Sequence, residues 1–157
     1  MTKALAQFFR LSLNGGNELT TIAKELDHVR HYLFIQKERY GEKLQYQIQC
    51  EEDVVEVMIP KILLQPIVEN AIYHGIRPLE GTGRVIISAA RYEANIVLQV
   101  EDNGVGFNID EAQEEVQKHI TKLGGVGIQN VDERVKLYYG TDYGVTINSC
   151  IGGGTKV

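Results

Sequence analysis

Alternation of apolar and polar residues with a period of two recurs along this chain, and it restricts the fold more than any other feature. Leu44, Tyr46 and Ile48 are interleaved with Gln45, Gln47 and Gln49, and Val55, Val57 and Ile59 repeat the pattern up to Pro60. Arg84–Arg91 and Asn95–Glu101 read as two more strands joined at Glu93-Ala94. Val145–Cys150 reads as another, and Thr155-Lys156-Val157 opens one whose remainder is expected beyond Val157. Side chains on a strand alternate between faces, so each run presents one apolar face that something must cover.

Helices supply the cover. Thr21 is placed to cap a helix that carries Ile22, Leu26, Val29, Leu33 and Tyr40 at helical intervals and stops at Gly41. A second helix is expected over roughly 61–76, with Leu63, Leu64, Ile67, Val68, Ala71 and Ile72 on its apolar side. A third carries Ile128, Val131, Val135 and Tyr138 and stops at Gly140. Residues 4–13 read as the end of an earlier helix stopped at Asn14–Asn17, and 110–122 as a polar helix between glycines. Helices set against hairpin-joined strands predict an α+β fold, a two-layer sandwich with a mixed, mostly antiparallel sheet covered on one face.

With 157 residues, 43% of them hydrophobic, the chain is sized for one domain with a core. A formal net charge of -5 argues against nucleic acid as a partner, which would need a concentrated basic face. No apolar run approaches the ~20 residues of a membrane-spanning helix. Cys50 and Cys150 stand far apart, without metal-ligand spacing, and read as reduced strand residues.

Chemistry concentrates in a set of asparagine- and glycine-centred boxes. On the second helix Glu69, Asn70, Tyr73 and His74 fall opposite the apolar side. The Asn70 amide oxygen suits a hard cation such as Mg²⁺, and a merely solvated helix face is the alternative. The strand ending at Glu101 runs into Asp102-Asn103-Gly104-Val105-Gly106. A strand-end carboxylate followed by glycines can accept from an adenine amino group while the backbone closes on the ring, although Asp-Asn-Gly is also a plain turn. Gly124-Gly125-Val126-Gly127 opens the third helix, where unpaired N–H groups and the helix dipole favour phosphate. Gly152-Gly153-Gly154-Thr155 is a corner before a strand, or an ordinary hairpin turn. Each box alone is weak, and their order carries the signal.

That order resembles the Bergerat-fold, or GHKL, ATPases shared by histidine kinases, type II topoisomerases, MutL proteins and one class of heat-shock chaperones. Leu64-Gln65-Pro66-Ile67-Val68-Glu69-Asn70-Ala71-Ile72-Tyr73-His74-Gly75 is similar to the N box of LytS/YesM-type sensor histidine kinases, and Gly127-Ile128-Gln129-Asn130-Val131-Asp132-Glu133-Arg134 to their second glycine box. Tyr32-Leu33, Ile35-Gln36 and Arg39-Tyr40 fit a segment that precedes the N box in the same group.

The resemblance implies an ATP-binding catalytic domain over 19–157, with 1–18 as the end of a helical dimerisation and phosphoacceptor region. It implies Mg²⁺ held by Asn70, with Tyr73 and His74 near the phosphates. Asp102 and Thr155 would meet adenine, Gly104 and Gly106 would wrap the base, and Gly125, Gly127 and Ile128 would line the phosphates. Residues 107–124 would form a mobile lid, with Lys118 and Lys122 as candidates for the γ-phosphate. The implied whole is a homodimeric, membrane-anchored bacterial sensor whose cytoplasmic kinase passes phosphate on to a response regulator. A regulatory module of the same fold, without kinase activity, is the alternative.

Departures from the family pattern sharpen these expectations. Where hydrolysing members carry a water-activating Glu, four residues before the Asn, this chain has Pro66. Glu69 is about 100° further round an α-helix and cannot simply inherit that role, though it could act on a phosphoryl acceptor. Tyr73 replaces a Lys common in histidine kinases, which leaves Arg134 as a candidate phosphate contact. The group's acceptor histidine lies in a Pro-His-Phe-Leu-Phe-Asn segment. His31 sits in a lookalike that lacks the proline and the asparagine, so the acceptor is expected upstream of Met1. His28 and His119 read as surface residues.

Overall fold

The computed structural model describes residues 18–108 and 125–157. The helices expected over 4–13 and 110–122 lie outside these.

Strand β1 (Leu19–Thr21) runs straight into helix α1 (Ile22–Tyr40). Thr21 caps the helix as anticipated: it is extended, with φ -79° and ψ 154°, and its hydroxyl accepts from the Lys24 N–H at 3.3 Å. Gly41 ends the helix at φ 56°, its N–H on the Lys37 carbonyl. Ile22, Leu26, Val29 and Leu33 are buried along one side. The same side buries His28, which overturns its reading as a surface residue. Desolvation, helped by nearby His31, lowers the His28 pKa against the opposing pull of Asp27, favouring the neutral ring.

Strand β2 (Leu44–Cys50) follows the expected alternation, with Gln45, Gln47 and Gln49 exposed. The strand expected through Val55, Val57 and Ile59 is cut short. Glu52–Val54 form a 3₁₀ turn and only β3 (Met58–Pro60) is extended, pairing with β1 in a separate two-stranded ribbon. The reason is backbone demand: the Val57 and Val55 carbonyls accept from the first N–H groups of α1, at Ile22 and Ala23, both at 3.0 Å.

Helix α2 (Leu64–Asn70) begins later than the expected 61–76 helix and passes directly into a π-helical turn, Ala71–Ile76. The delay comes from Ile62, which has φ 60°, and from Glu25 of α1. The Glu25 carboxylate takes the N–H groups of Leu63 at 2.7 Å, Leu64 at 3.0 Å and Ile62 at 3.1 Å, and so caps α2 from across the core.

Strands β4 (Gly83–Tyr92) and β5 (Asn95–Asp102) form a hairpin, helix α3 spans Gly125–Tyr139, and β6 (Asn148–Cys150) and β7 (Gly154–Lys156) form a second hairpin. The strand expected from Val145 is therefore paired only from Asn148. The five-stranded sheet has the order β2-β4-β5-β7-β6. Among the described residues only β2 and β4 are parallel, and the crossover between them carries α2. Val85, Ile87, Ala89 and Val100 on one sheet face pack under Leu33, Val68, Ile72, Ile128 and Val131 of the helices. The fold is the expected α+β two-layer sandwich.

Replacing Glu25 with alanine leaves three N–H groups at the start of α2 without their acceptor, which should destabilise the fold by roughly 2–4 kcal/mol. Urea denaturation measures this, and a loss below about 0.5 kcal/mol, ordinary for a surface change, would contradict it. Burial raises the Glu25 pKa above its ordinary 4.5, against the pull of its backbone N–H partners and of Arg134. A carboxyl that holds its proton more tightly when folded contributes most below pH 4.5, and that contribution is lost as pH rises through the raised pKa. The non-titrating Glu25→Gln variant should therefore gain stability relative to the wild type as pH increases from 4.5. A gap between the two that is flat across this window would contradict the assignment.

Candidate functional site

The π turn brings the N box onto the end of β5. In an α-helix the residue one turn past Asn70 is His74, but with i→i+5 bonding it is Gly75. The widened ladder is visible where the Arg77 N–H reaches the Ile72 carbonyl at 2.8 Å. Gly75 is buried directly against the Asp102 carboxylate, where a Cβ would lie 2.7 Å from Oδ1. Glu69 and Asn70 are half-buried on the α2 face, and Tyr73 and His74 are exposed on the π turn. Gln65 donates to Glu69 at 2.9 Å.

Asp102 is 6% exposed. Its Oδ1 accepts from the Gly104 N–H at 2.8 Å, and the Thr155 backbone also donates to it. Burial, with a smaller push from Glu101, raises the Asp102 pKa, and the two N–H groups pull it back. The result is a desolvated carboxylate, a strong hydrogen-bond acceptor.

Residues 103–107 are strapped to both neighbours. The Val105 N–H donates to the Gly75 carbonyl at 3.1 Å, and the Gly152 N–H donates to the Val105 carbonyl at 2.7 Å. Gly104 stacks on the Gly75 backbone so closely that any Cβ would overlap it, and Gly106, at φ 60°, is crowded by the Cys150 carbonyl. The glycines expected to wrap a base thus serve first to let three backbone segments meet. Ser149 ties the hairpin to the strap: its Oγ accepts from the Phe107 N–H at 3.0 Å and donates to the Gly154 carbonyl at 3.0 Å. Its remaining contact, Thr155 Oγ1 at 2.8 Å, is then a bond donated by threonine. Thr155 sits opposite Asp102 in the ladder.

Helix α3 begins at Gly125 beside α2, and a Cβ on Gly127 would lie 3.2 Å from that of Pro66. Pro66 thus packs against the glycine box. The Ile128 side chain is in the core, so only its backbone can face a ligand. Arg134 is directed elsewhere than the phosphate role considered for it: it donates to the Lys61 carbonyl at 2.6 Å. His31 donates from Nδ1 to the Asp27 carbonyl at 2.7 Å. Lys118, His119, Lys122 and most of the expected lid lie outside the described residues. Sequence reasoning missed Gly75 and Ser149. The His-Gly pair closing the N box was a signal for the first, whereas a serine within a strand gives none.

Comparison with known proteins bears on the fold and the family. A family model for the histidine kinase-, DNA gyrase B- and HSP90-like ATPases matches residues 58–157, and a histidine kinase model matches 1–44. Sensor histidine kinase BtsS of Escherichia coli (strain K12) is 37% identical over 147 residues, covering 94% of this chain and 24% of the relative. Sensor histidine kinase YesM of Bacillus subtilis (strain 168) is 32% identical over 159 residues, covering 100% of this chain and 26% of the relative. The chain thus spans about a quarter of the length of these relatives. Among solved structures, the histidine kinase domain of the Erythrobacter litoralis EL346 blue-light activated kinase matches with a TM-score of 0.63 at 15% identity, covering 98% of this chain and 69% of that one. The catalytic domain of histidine kinase ThkA matches at 0.59 and 11% identity, covering 88% and 90%. The two structural likenesses show the fold, and the family model over residues 58–157 shows the family. The chain belongs to the histidine kinase-, DNA gyrase B- and HSP90-like ATPase family, as an ATPase domain of the sensor histidine kinase type.

Proposed function

We propose that the chain binds Mg-ATP between the N box and the β5–β7 ends and donates the γ-phosphate to a histidine on a helical dimerisation domain. The observation that carries this reading is the buried Asp102 carboxylate, a desolvated acceptor set against the backbone of Gly75 and Gly104. Asp102 accepts from the adenine amino group, and Thr155, whose own proton goes to Ser149, offers a hydroxyl acceptor beside it. Gly125 and Gly127 present N–H groups of α3 to the phosphates, with Tyr73 and His74 at the phosphate end.

Mg²⁺ fits the residues present. Among the described residues no cluster of three acidic, histidine or cysteine side chains exists, so a cation at Asn70 would draw its other ligands from phosphate and water, as Mg²⁺ does. Bound there, it would neutralise charge developing on the transferred group.

In the transfer, the bond from γ-phosphorus to the bridging oxygen of ADP breaks and a bond to an imidazole nitrogen of the acceptor forms. The ring proton passes to a base, for which Glu69, steadied by Gln65, is the candidate. The chain's part is orientation and charge stabilisation. Phosphate then moves to a response regulator, and the whole protein acts as a membrane-anchored homodimer with this domain on the cytoplasmic side. Pro66 in place of a water-activating carboxylate disfavours sustained hydrolysis.

Asp102→Asn keeps the shape and an oxygen for the Gly104 N–H but turns an amide N–H₂ toward the adenine amino group. Calorimetric titration with a non-hydrolysable ATP analogue and Mg²⁺ should show affinity reduced by about 1–3 kcal/mol, roughly 5- to 150-fold. Unchanged affinity would remove Asp102 from the adenine site. Incubated alone with γ-labelled ATP, the chain should acquire no acid-labile phosphate, and label should appear when the dimerisation domain is supplied. Binding without label in both cases would favour the regulatory alternative.

A further inference from the structure

Three polar side chains stand in one row across β5, β7 and β6. Asp102 is directly opposite Thr155 in the ladder, and Thr155 is directly opposite Ser149. Opposed residues on paired strands share a face, with their Cβ atoms about 4.5–5.5 Å apart, so a carboxylate and two hydroxyls lie side by side. Ser149 has one proton to give and two lone pairs to offer. Among the described residues three groups bond its Oγ: the Phe107 N–H at 3.0 Å, the Gly154 carbonyl at 3.0 Å and Thr155 Oγ1 at 2.8 Å. An amide N–H can only donate and a carbonyl can only accept. These two commit one lone pair and the single proton of Ser149, and the lone pair that remains obliges the Thr155 hydroxyl to donate. Reversing the Ser149–Thr155 bond would leave two oxygens, Ser149 Oγ and the Gly154 carbonyl, facing each other at 3.0 Å with no proton between them.

We infer that Ser149 is a positioning residue for base selection: it holds the Thr155 proton away from the nucleotide, so that the Asp102–Thr155 pair selects a 6-amino purine over a 6-oxo purine. The inference rests on the adenine reading of Asp102 proposed above. A 6-amino group brings two N–H bonds and finds acceptors in the Asp102 carboxylate and in the free lone pair of Thr155. A 6-oxo purine brings a carbonyl oxygen beside an N1–H. The carboxylate can take the N1–H, but the carbonyl oxygen then meets a hydroxyl whose proton is already bound to Ser149. Discrimination therefore falls to Thr155, and through it to the group that fixes its proton. Without the Ser149 hydroxyl, Thr155 becomes a free rotor that donates to a 6-oxo group as readily as it accepts from a 6-amino group.

The test is calorimetric titration of Mg-ADP and of Mg-IDP, its 6-oxo counterpart, into the wild type, Ser149→Ala, Thr155→Val and the double variant. The wild type should prefer ADP by at least about tenfold, and Ser149→Ala should lower that preference by about fivefold or more. In the Thr155→Val background Ser149→Ala should leave the ratio unchanged, because the two act as one unit. A purely structural loss at Ser149 would weaken both nucleotides alike and leave the ratio where it was. A wild-type preference that survives in Ser149→Ala would overturn this inference and leave the adenine reading standing, whereas a wild-type ratio near one would overturn both. A second measurement needs no variant. With ADP bound to the wild type, the Thr155 hydroxyl proton should give an NOE to the Ser149 β protons, and an NOE to the base instead would overturn the inference.

Discussion

The Glu25 carboxylate reaches from α1 to the start of α2 and holds three backbone N–H groups there. The turn it stabilises is a demanding one. Ile62 adopts a left-handed conformation that costs an L-residue about 1–3 kcal/mol. Leu63, at the helix boundary, offers no side-chain cap of its own. The same turn is gripped from two other sides: the Lys61 N–H donates to the Glu18 carbonyl at 3.0 Å, and Arg134 of α3 donates to the Lys61 carbonyl. Helices α1 and α3 and the residue before β1 thus converge on the turn that launches the segment bearing Glu69 and Asn70, and the site inherits its position from them.

From that anchor the chain reaches Asp102 by way of the π turn. Inserting i→i+5 bonding after Asn70 brings Gly75 onto the turn below it, and Gly75 is the residue that meets both Asp102 and Gly104. Backbone is therefore packed on backbone here, with one desolvated carboxylate set into it. A side chain at Gly75 or Gly104 would lift the strap away from the N box. The exposed Tyr73 and His74 and the half-buried Asn70 lie on the same segment.

Much of this was legible in the residues. The alternation in Leu44–Cys50 and the caps at Thr21 and Gly41 needed only local rules, because side-chain period and backbone conformation are local properties. The ordered boxes pointed to the family, and the matched family model agrees. What escaped was non-local. Glu25 has the look of a solvated helix residue, and only the fold supplies the N–H groups that bury it. His28 lies on the same helix and was misread for the same reason. The strand expected from Val55 gave way because α1 needed carbonyls for its first turn. The π turn was hidden because the residues from Leu64 to Ile76 read equally well as one continuous α-helix.

The central claim is that adenine binds where Gly75, Asp102, Gly104 and Thr155 converge. Amide NMR spectra recorded through a titration with Mg-ADP test it most directly. The account predicts that the resonances of Gly75, Gly104, Val105 and Thr155 shift together along one saturating curve, while those of Gln45 and Gln47 on the far sheet face stay in place. Saturable ADP binding that leaves these four resonances unmoved would contradict it.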